Sequence, residues 1–224
     1  MGKTINIIRG TREESYEDFH RRIAETVKAI ADLKPEAMHY TITEEKPPAL
    51  SVIPFCKDKI ALISVYGQVD HQEAVSSEKG YAGSFQVTEV LPRAYKKDWE
   101  NGQPTPGVCL LTLFRQKKGI DYDVFIDRWH NGHTPFTLKV HPIYHYNRNE
   151  VNGRTGNPAV DYDGIVEEHC RDMKTLLNPF IFFGKPWMAP VNMVRTYFDV
   201  NSFIDYKSIE SYLVREYVMV DENV

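Results

Sequence analysis

Cysteine is scarce in this chain of 224 residues: Cys56, Cys109 and Cys170 are the whole complement, an odd and small number. That excludes a disulfide framework and points to a reducing compartment. Long apolar runs are also missing, and none approaches the roughly 18 residues of a membrane-spanning helix. The first residues, Met-Gly-Lys-Thr-Ile-Asn-Ile-Ile, turn polar at Arg9 and hold no apolar signal core, so a cytoplasmic protein is expected. Positive charge is in deficit, with 27 Lys+Arg against 31 Asp+Glu and a net charge of -4. Without a basic stripe, neither nucleic acid nor an anionic membrane is an expected partner. Several signatures of chemistry are absent as well: there is no Gly-rich phosphate loop, no G-x-S-x-G elbow and no CxxC pair.

What remains is the composition of a globular protein, 42% hydrophobic and 26% charged, arranged in two related halves. At an offset of 106 residues Arg9 falls on Arg115, Tyr16 on Tyr122, Phe19 on Phe125, His39 on His145, Tyr40 on Tyr146 and Glu44 on Glu150. The hydrophobic pattern agrees too, since Ile5, Ile7 and Ile8 fall on Leu111, Leu113 and Phe114. Two copies without a third suggest a duplicated module rather than a solenoid.

Each copy reads the same way. β-rich runs at 4–8 and 108–115 are followed by helical spacing at 16–33 and 121–138, where Gly132 and Pro135 predict that the second helix ends early or kinks. Further strands are expected at 37–44 and 143–151, at 59–66 and 163–170, and at 85–91 and 214–220. The order β-α-β-β-α-β is the ferredoxin-like pattern. The expected fold class is therefore α+β: two tandem ferredoxin-like modules, 1–92 and 108–224, joined by a Pro- and Gly-containing linker over 93–107. Their antiparallel sheets would pack into an α+β barrel around a hollow that takes a small ligand. An aromatic-rich, Pro-broken stretch at 178–206 is expected as either a core flap or a lid over a pocket.

Four of the eight histidines, His130, His133, His141 and His145, fall within sixteen residues. His133 stands one helical turn after Trp129 and just before Pro135, a position expected at a cavity mouth, where an imidazole can exchange a proton near neutral pH. Trp129 reads as core and His133 as functional, because the earlier copy has Ile23 and Val27 at their places. Strand parity sends His145, Asn147 and Asn149 toward the interior and Tyr146 and Arg148 toward the helices, with Arg148 the awkward member. The four histidines could also be written as a metal site, but the spacing meets one ion only if the helix persists through Gly132, and no metal is expected.

The run Phe125-Ile-Asp-Arg-Trp129-His-Asn-Gly-His133-Thr-Pro135, then Tyr146-Asn-Arg-Asn149-Glu-Val151 and Asp163-Gly164-Ile165, resembles the EthD-like family of the dimeric α+β barrel superfamily. The resemblance covers mainly 108–170, and the first half looks like a degenerate copy without the Trp and His. It implies a ferredoxin-like barrel, no metal or organic cofactor, and a pocket-facing histidine at His133.

The expected function is a cofactor-independent enzyme, of lyase, dehydratase, isomerase or cyclase type, acting on a small aromatic or polyketide-like molecule. His133 and His145 would be catalytic, with His133 the base. Trp129, Asn147, Tyr146, Arg115, Trp187 and Phe183 would bind substrate, Tyr146 and Arg115 replacing Asn147 should the strand parity reverse. A non-catalytic barrel for a hydrophobic ligand or partner, and a haem-binding barrel, are the alternatives. An internal pair that closes a barrel by itself leaves homodimerisation open.

Overall fold

Strands buried on both faces set the architecture, and the apolar run Ile60–Tyr66, for example, is buried at every residue. The computed structural model describes residues 2–156 and 160–221. The first half contains β1 (Lys3–Arg9), α1 (Tyr16–Ala31), β2 (Ala37–Ile42), β3 (Ile60–Tyr66), α2 (Gln72–Ser76) and β4 (Tyr81–Arg93). In the second half β5 (Val108–Phe114) precedes α3 (Tyr122–Asp127), a π-helical turn (Arg128–His133), α4 (Thr134–Val140), β6 (Ile143–Gly156) and β7 (Gly164–Cys170). It ends with α5 (Met173–Leu177), α6 (Pro179–Phe182), α7 (Ala189–Phe203), a 3-10 turn (Tyr206–Ser208) and β8 (Glu210–Val220).

All strand pairs are antiparallel and close a barrel in the order β1-β3-β2-β8-β5-β7-β6-β4. Each half supplies its strands in the spatial order fourth, first, third, second, and the halves are sewn together where β2 meets β8 and β4 meets β6. The α+β barrel expected from sequence is therefore present. Its strands outrun their expected limits, however: β4 begins at Tyr81 and ends at Arg93, β6 runs on to Gly156, and β8 starts at Glu210. The extra length of β4 and β6 makes the seam between the halves.

Side-chain parity sorts the core into three parts. Ile5, Ile7, Leu62, Phe85, Leu111, Ile165 and Val214 fill the lumen. On the outside of the first half, α1 lays Phe19, Ile23, Val27 and Ile30 on Met38, Tyr40, Ile42, Ile63 and Val65. Burying four such helix residues is worth about 1.5–3 kcal/mol each, enough to hold α1 on the sheet. Its start is fixed by Ser15, whose hydroxyl accepts the Asp18 N–H at 3.0 Å. Outside the second half, Leu110, Phe114, Val166 and Leu213 pack under Phe125, Trp129, Phe182 and Phe203.

The stretch expected as a plain linker does more than connect. It lies along β8, with Gly102 N–H on the Val218 carbonyl at 2.7 Å and Thr105 N–H on that of Glu216 at 2.8 Å. At the other end of the lumen the Arg9 guanidinium donates to Tyr212 Oη at 2.8 Å, Tyr162 Oη at 2.5 Å and Glu210 Oε2 at 2.8 Å. No helix among the described residues is long and apolar enough to cross a membrane.

Candidate functional site

The helix over β5, β6 and β7 neither stops at Gly132 nor kinks into a loop at Pro135. It widens by one residue. The Thr134 N–H reaches back to the Trp129 carbonyl, and the Thr134 hydroxyl donates to the same oxygen at 2.9 Å. An i→i+5 turn absorbs a proline that lacks an N–H and crowds the carbonyl before it, and such turns often mark functional sites. Pro135 then sits in the first turn of α4, where its missing donor costs nothing.

The wide turn presents His133 and Trp129 to a cavity of about 150 Å³ between the outer face of the barrel wall and the helical layer. This corrects the expectation that the imidazole faces the barrel hollow: His133 lies on the helix side of the sheet. The floor comes from Leu110, Phe114, Tyr146, Val166 and Glu168, and the cover from α6 and α7 through Phe182, Phe183 and Phe203. The aromatic stretch at 178–206 is thus both flap and cover. Gly164 is required beneath it, because a Cβ there would stand 2.3 Å from Phe114 Cζ and 2.8 Å from Trp129 Cη2.

His133 is held at both nitrogens. Its Nδ1 lies 2.6 Å from Asp199 Oδ2 of α7, and its Nε2 lies 3.1 Å from Thr137 Oγ1, one turn along α4. An ionised carboxylate only accepts, so Nδ1 carries a proton; in a neutral imidazole Nε2 then accepts from the threonine hydroxyl. Glu168 adds an acid: burial alone pushes its carboxyl up to about 7, and no hydrogen bond to it is seen among the described residues. His141 contributes no charge. Burial presses it down to about 3, and its ring packs on Phe182 at 4.1 Å.

The other expected residues divide between places. Trp129, Tyr146 and Phe183 line the His133 cavity. Arg148, on the helix side as parity required, finds a partner in the Trp129 ring at 5.6 Å and in Thr134 Oγ1 at 2.7 Å. His145 and Asn147 point the other way, into the lumen, and do not join His133. Arg115 lines a shallow depression at the opposite end with Arg9, Tyr162 and Glu210. Trp187 is 72% exposed and outside the cavity. His130 lies beside Glu150 at 3.8 Å, so the four clustered histidines do not converge on one point. Asp199 escaped the sequence reading. A carboxylate 66 residues from its histidine leaves no spacing signal.

Wall, helical cover and buried imidazole together define an α+β barrel with a ligand-sized cavity outside the lumen. Residues 117–198 match the EthD domain, so the resemblance drawn from Trp129, His133 and Tyr146 holds over that segment. Among solved structures it is similar to one titled "Crystal structure study of anthrone oxidase-like protein", at 10% identity, with a TM-score of 0.59 over 99% of this chain and 94% of that one. At that identity the likeness speaks for the fold. No curated protein matches the chain.

Proposed function

We propose that the protein is a cofactor-independent enzyme that uses His133 to take a proton from carbon next to a carbonyl in a small aromatic or polyketide-like molecule. The observation that carries this reading is the His133–Asp199 pair beside an apolar cavity that also holds Glu168. His133 Nε2 removes the proton, and the Asp199 carboxylate stabilises the imidazolium that results. Thr137 frees Nε2 by turning its hydroxyl to the carbonyl four residues back, a bond common for helical threonines. As negative charge moves onto the carbonyl oxygen, protonated Glu168 donates a hydrogen bond to it, much as an oxyanion hole would. The resulting enol or enolate is the shared starting point for elimination, isomerisation and ring closure.

Cavity size bears on the substrate. A space of about 150 Å³ is the size that takes one benzene ring. Larger fused rings, such as the anthrone in the neighbour's title, require α6 and α7 to move outward. The reading of the chain as duplicated ferredoxin-like modules, 1–92 and 108–224, rests on the sequence repeat and on the same strand order in each half. Three unpaired cysteines are in keeping with a reducing, cytoplasmic setting.

Proton abstraction is read directly by NMR, as deuterium uptake from D₂O at the α-carbon of single-ring aryl ketones such as acetophenone. The protein accelerates this exchange, and His133→Ala reduces the acceleration about 10²- to 10⁴-fold. Ketone binding without any acceleration supports the non-catalytic ligand-binding barrel instead.

A further inference from the structure

The barrel lumen is apolar along most of its length but ends in a cluster of charged and polar side chains that plays no part in the His133 chemistry. Inward parity on seven strands brings Lys3, His39, Tyr66, Glu89, Asn147, Glu167 and Glu216 there, together with His145 and His169. A cavity of about 540 Å³ opens at this end, lined by His39, Tyr66, Glu89, His145, Asn147 and Glu216 and roofed by Tyr95 and its neighbours in the 93–107 strap.

Charge does not balance at this end. Lys3 is taken by Glu89, at 2.6 Å. That leaves Glu167 and Glu216, 1% and 3% exposed, without a lysine or arginine partner among the described residues. Neither oxygen of Glu167 has a hydrogen bond. Two buried carboxylates in this state cost several kcal/mol each unless positive charge arrives. Protonated histidines could bring it, but the geometry favours a different carrier.

One ligand atom from each of His145, His169 and Glu216 falls within 4.8 Å of the others. His169 Nε2 is buried, has no hydrogen-bond partner, and stands 3.8 Å from Glu216 Oε1, too far for a hydrogen bond. Two ligands about 2.0–2.2 Å from one ion stand roughly 3.4 Å apart at a tetrahedral angle, so a small contraction would seat a metal between them. The opposite oxygen, Glu216 Oε2, is engaged by the Thr105 hydroxyl at 2.6 Å and the Tyr95 hydroxyl at 2.9 Å. That arrangement turns Oε1 toward the histidines, as outer hydrogen bonds orient a metal-binding carboxylate.

We propose that His145, His169 and Glu216 bind one divalent transition-metal ion at this end of the lumen, with Glu167 supplying the second negative charge from beside it. Two imidazoles and a carboxylate suit zinc, iron or manganese, and the dication cancels the two unmatched carboxylates. Three protein ligands leave a coordination position for water or a small anion from the 540 Å³ cavity. The site lies across the barrel wall from His133 and would revise the expectation of a metal-free protein.

Metal-stripped wild-type protein titrated with Zn²⁺ by calorimetry, and with Co²⁺ by visible absorption, tests the assignment. The expected result is one ion per chain and a Co²⁺ d–d band of nitrogen and oxygen ligation. His145→Gln and Glu216→Gln each weaken binding at least tenfold, and His133→Ala leaves it unchanged. Absence of binding to the wild type overturns the proposal without any variant having to fold. Binding that survives in folded His145→Gln and Glu216→Gln also overturns it, since the ion would then sit on other histidines.

Discussion

His133 Nδ1 stands 2.6 Å from Asp199 Oδ2, a contact between the π-helical turn on the barrel wall and the helix that covers the cavity. The carboxylate paired with the proposed base therefore sits on a helix that covers the cavity. In the proposed mechanism, an outward movement of α7 would part Asp199 from His133.

Asp199→Asn keeps an oxygen for Nδ1 but loses the charge that stabilises the imidazolium. The expected outcome is a fall of about 10²-fold in the rate of α-deuteration with little change in ketone affinity, read by NMR exchange and by calorimetry. Equal losses in affinity and rate would make Asp199 a structural tether only.

Glu168 gives the pH dependence its sign. Its folded-state carboxyl is raised from 4.5 to about 7 by burial, so its contribution to stability is fully present below about pH 4.5 and is lost as pH rises through 7. Glu168→Gln is expected to gain about 1–3 kcal/mol relative to wild type above pH 7, measured by urea unfolding at pH 5 and pH 8. As the proposed acid, Glu168 must be protonated, so exchange activity falls above pH 7 in the wild type. The glutamine variant keeps a donor and lacks that alkaline limb.

Gly164→Ala tests the cavity floor. Its Cβ at 2.3 Å from Phe114 and 2.8 Å from Trp129 forces both rings upward into the ligand space. Unfolding experiments should register a loss of about 1–3 kcal/mol, and single-ring ketones should bind at least tenfold more weakly.

The aromatic stretch divides into an inner and an outer set. Phe182, 3% exposed, is expected to cost about 3–5 kcal/mol when changed to alanine, whereas Trp187→Ser, at a position 72% exposed, stays within about 0.5 kcal/mol and leaves ligand affinity alone. Thermal melts and ligand titrations of the two variants check this contrast.

The barrel was legible in the sequence because two weak strand patterns, repeated 106 residues apart, reinforce one another. Parity on β6 also placed His145 and Asn147 inward and Tyr146 outward. Strand pattern does not, however, tell on which side of the wall a helix-borne histidine finds its cavity, and His133 lies outside the lumen. That cavity exists because α6 and α7 fold over the sheet, a placement fixed by Phe182 and Phe203 packing among Phe114, Phe125 and Trp129 rather than by any local periodicity. Asp199 was hidden for the same reason. The helix break expected at Pro135 did not materialise because widening the turn to i→i+5 absorbs the proline without ending the helix.

Side-chain NMR of the histidine imidazoles during titration with a single-ring aryl ketone tests whether the ligand enters the cavity beside His133. The expected result is a saturable shift of the His133 resonances, abolished in Gly164→Ala, while those of His145 and His169 stay still. Movement of the lumen histidines with His133 unmoved would contradict it.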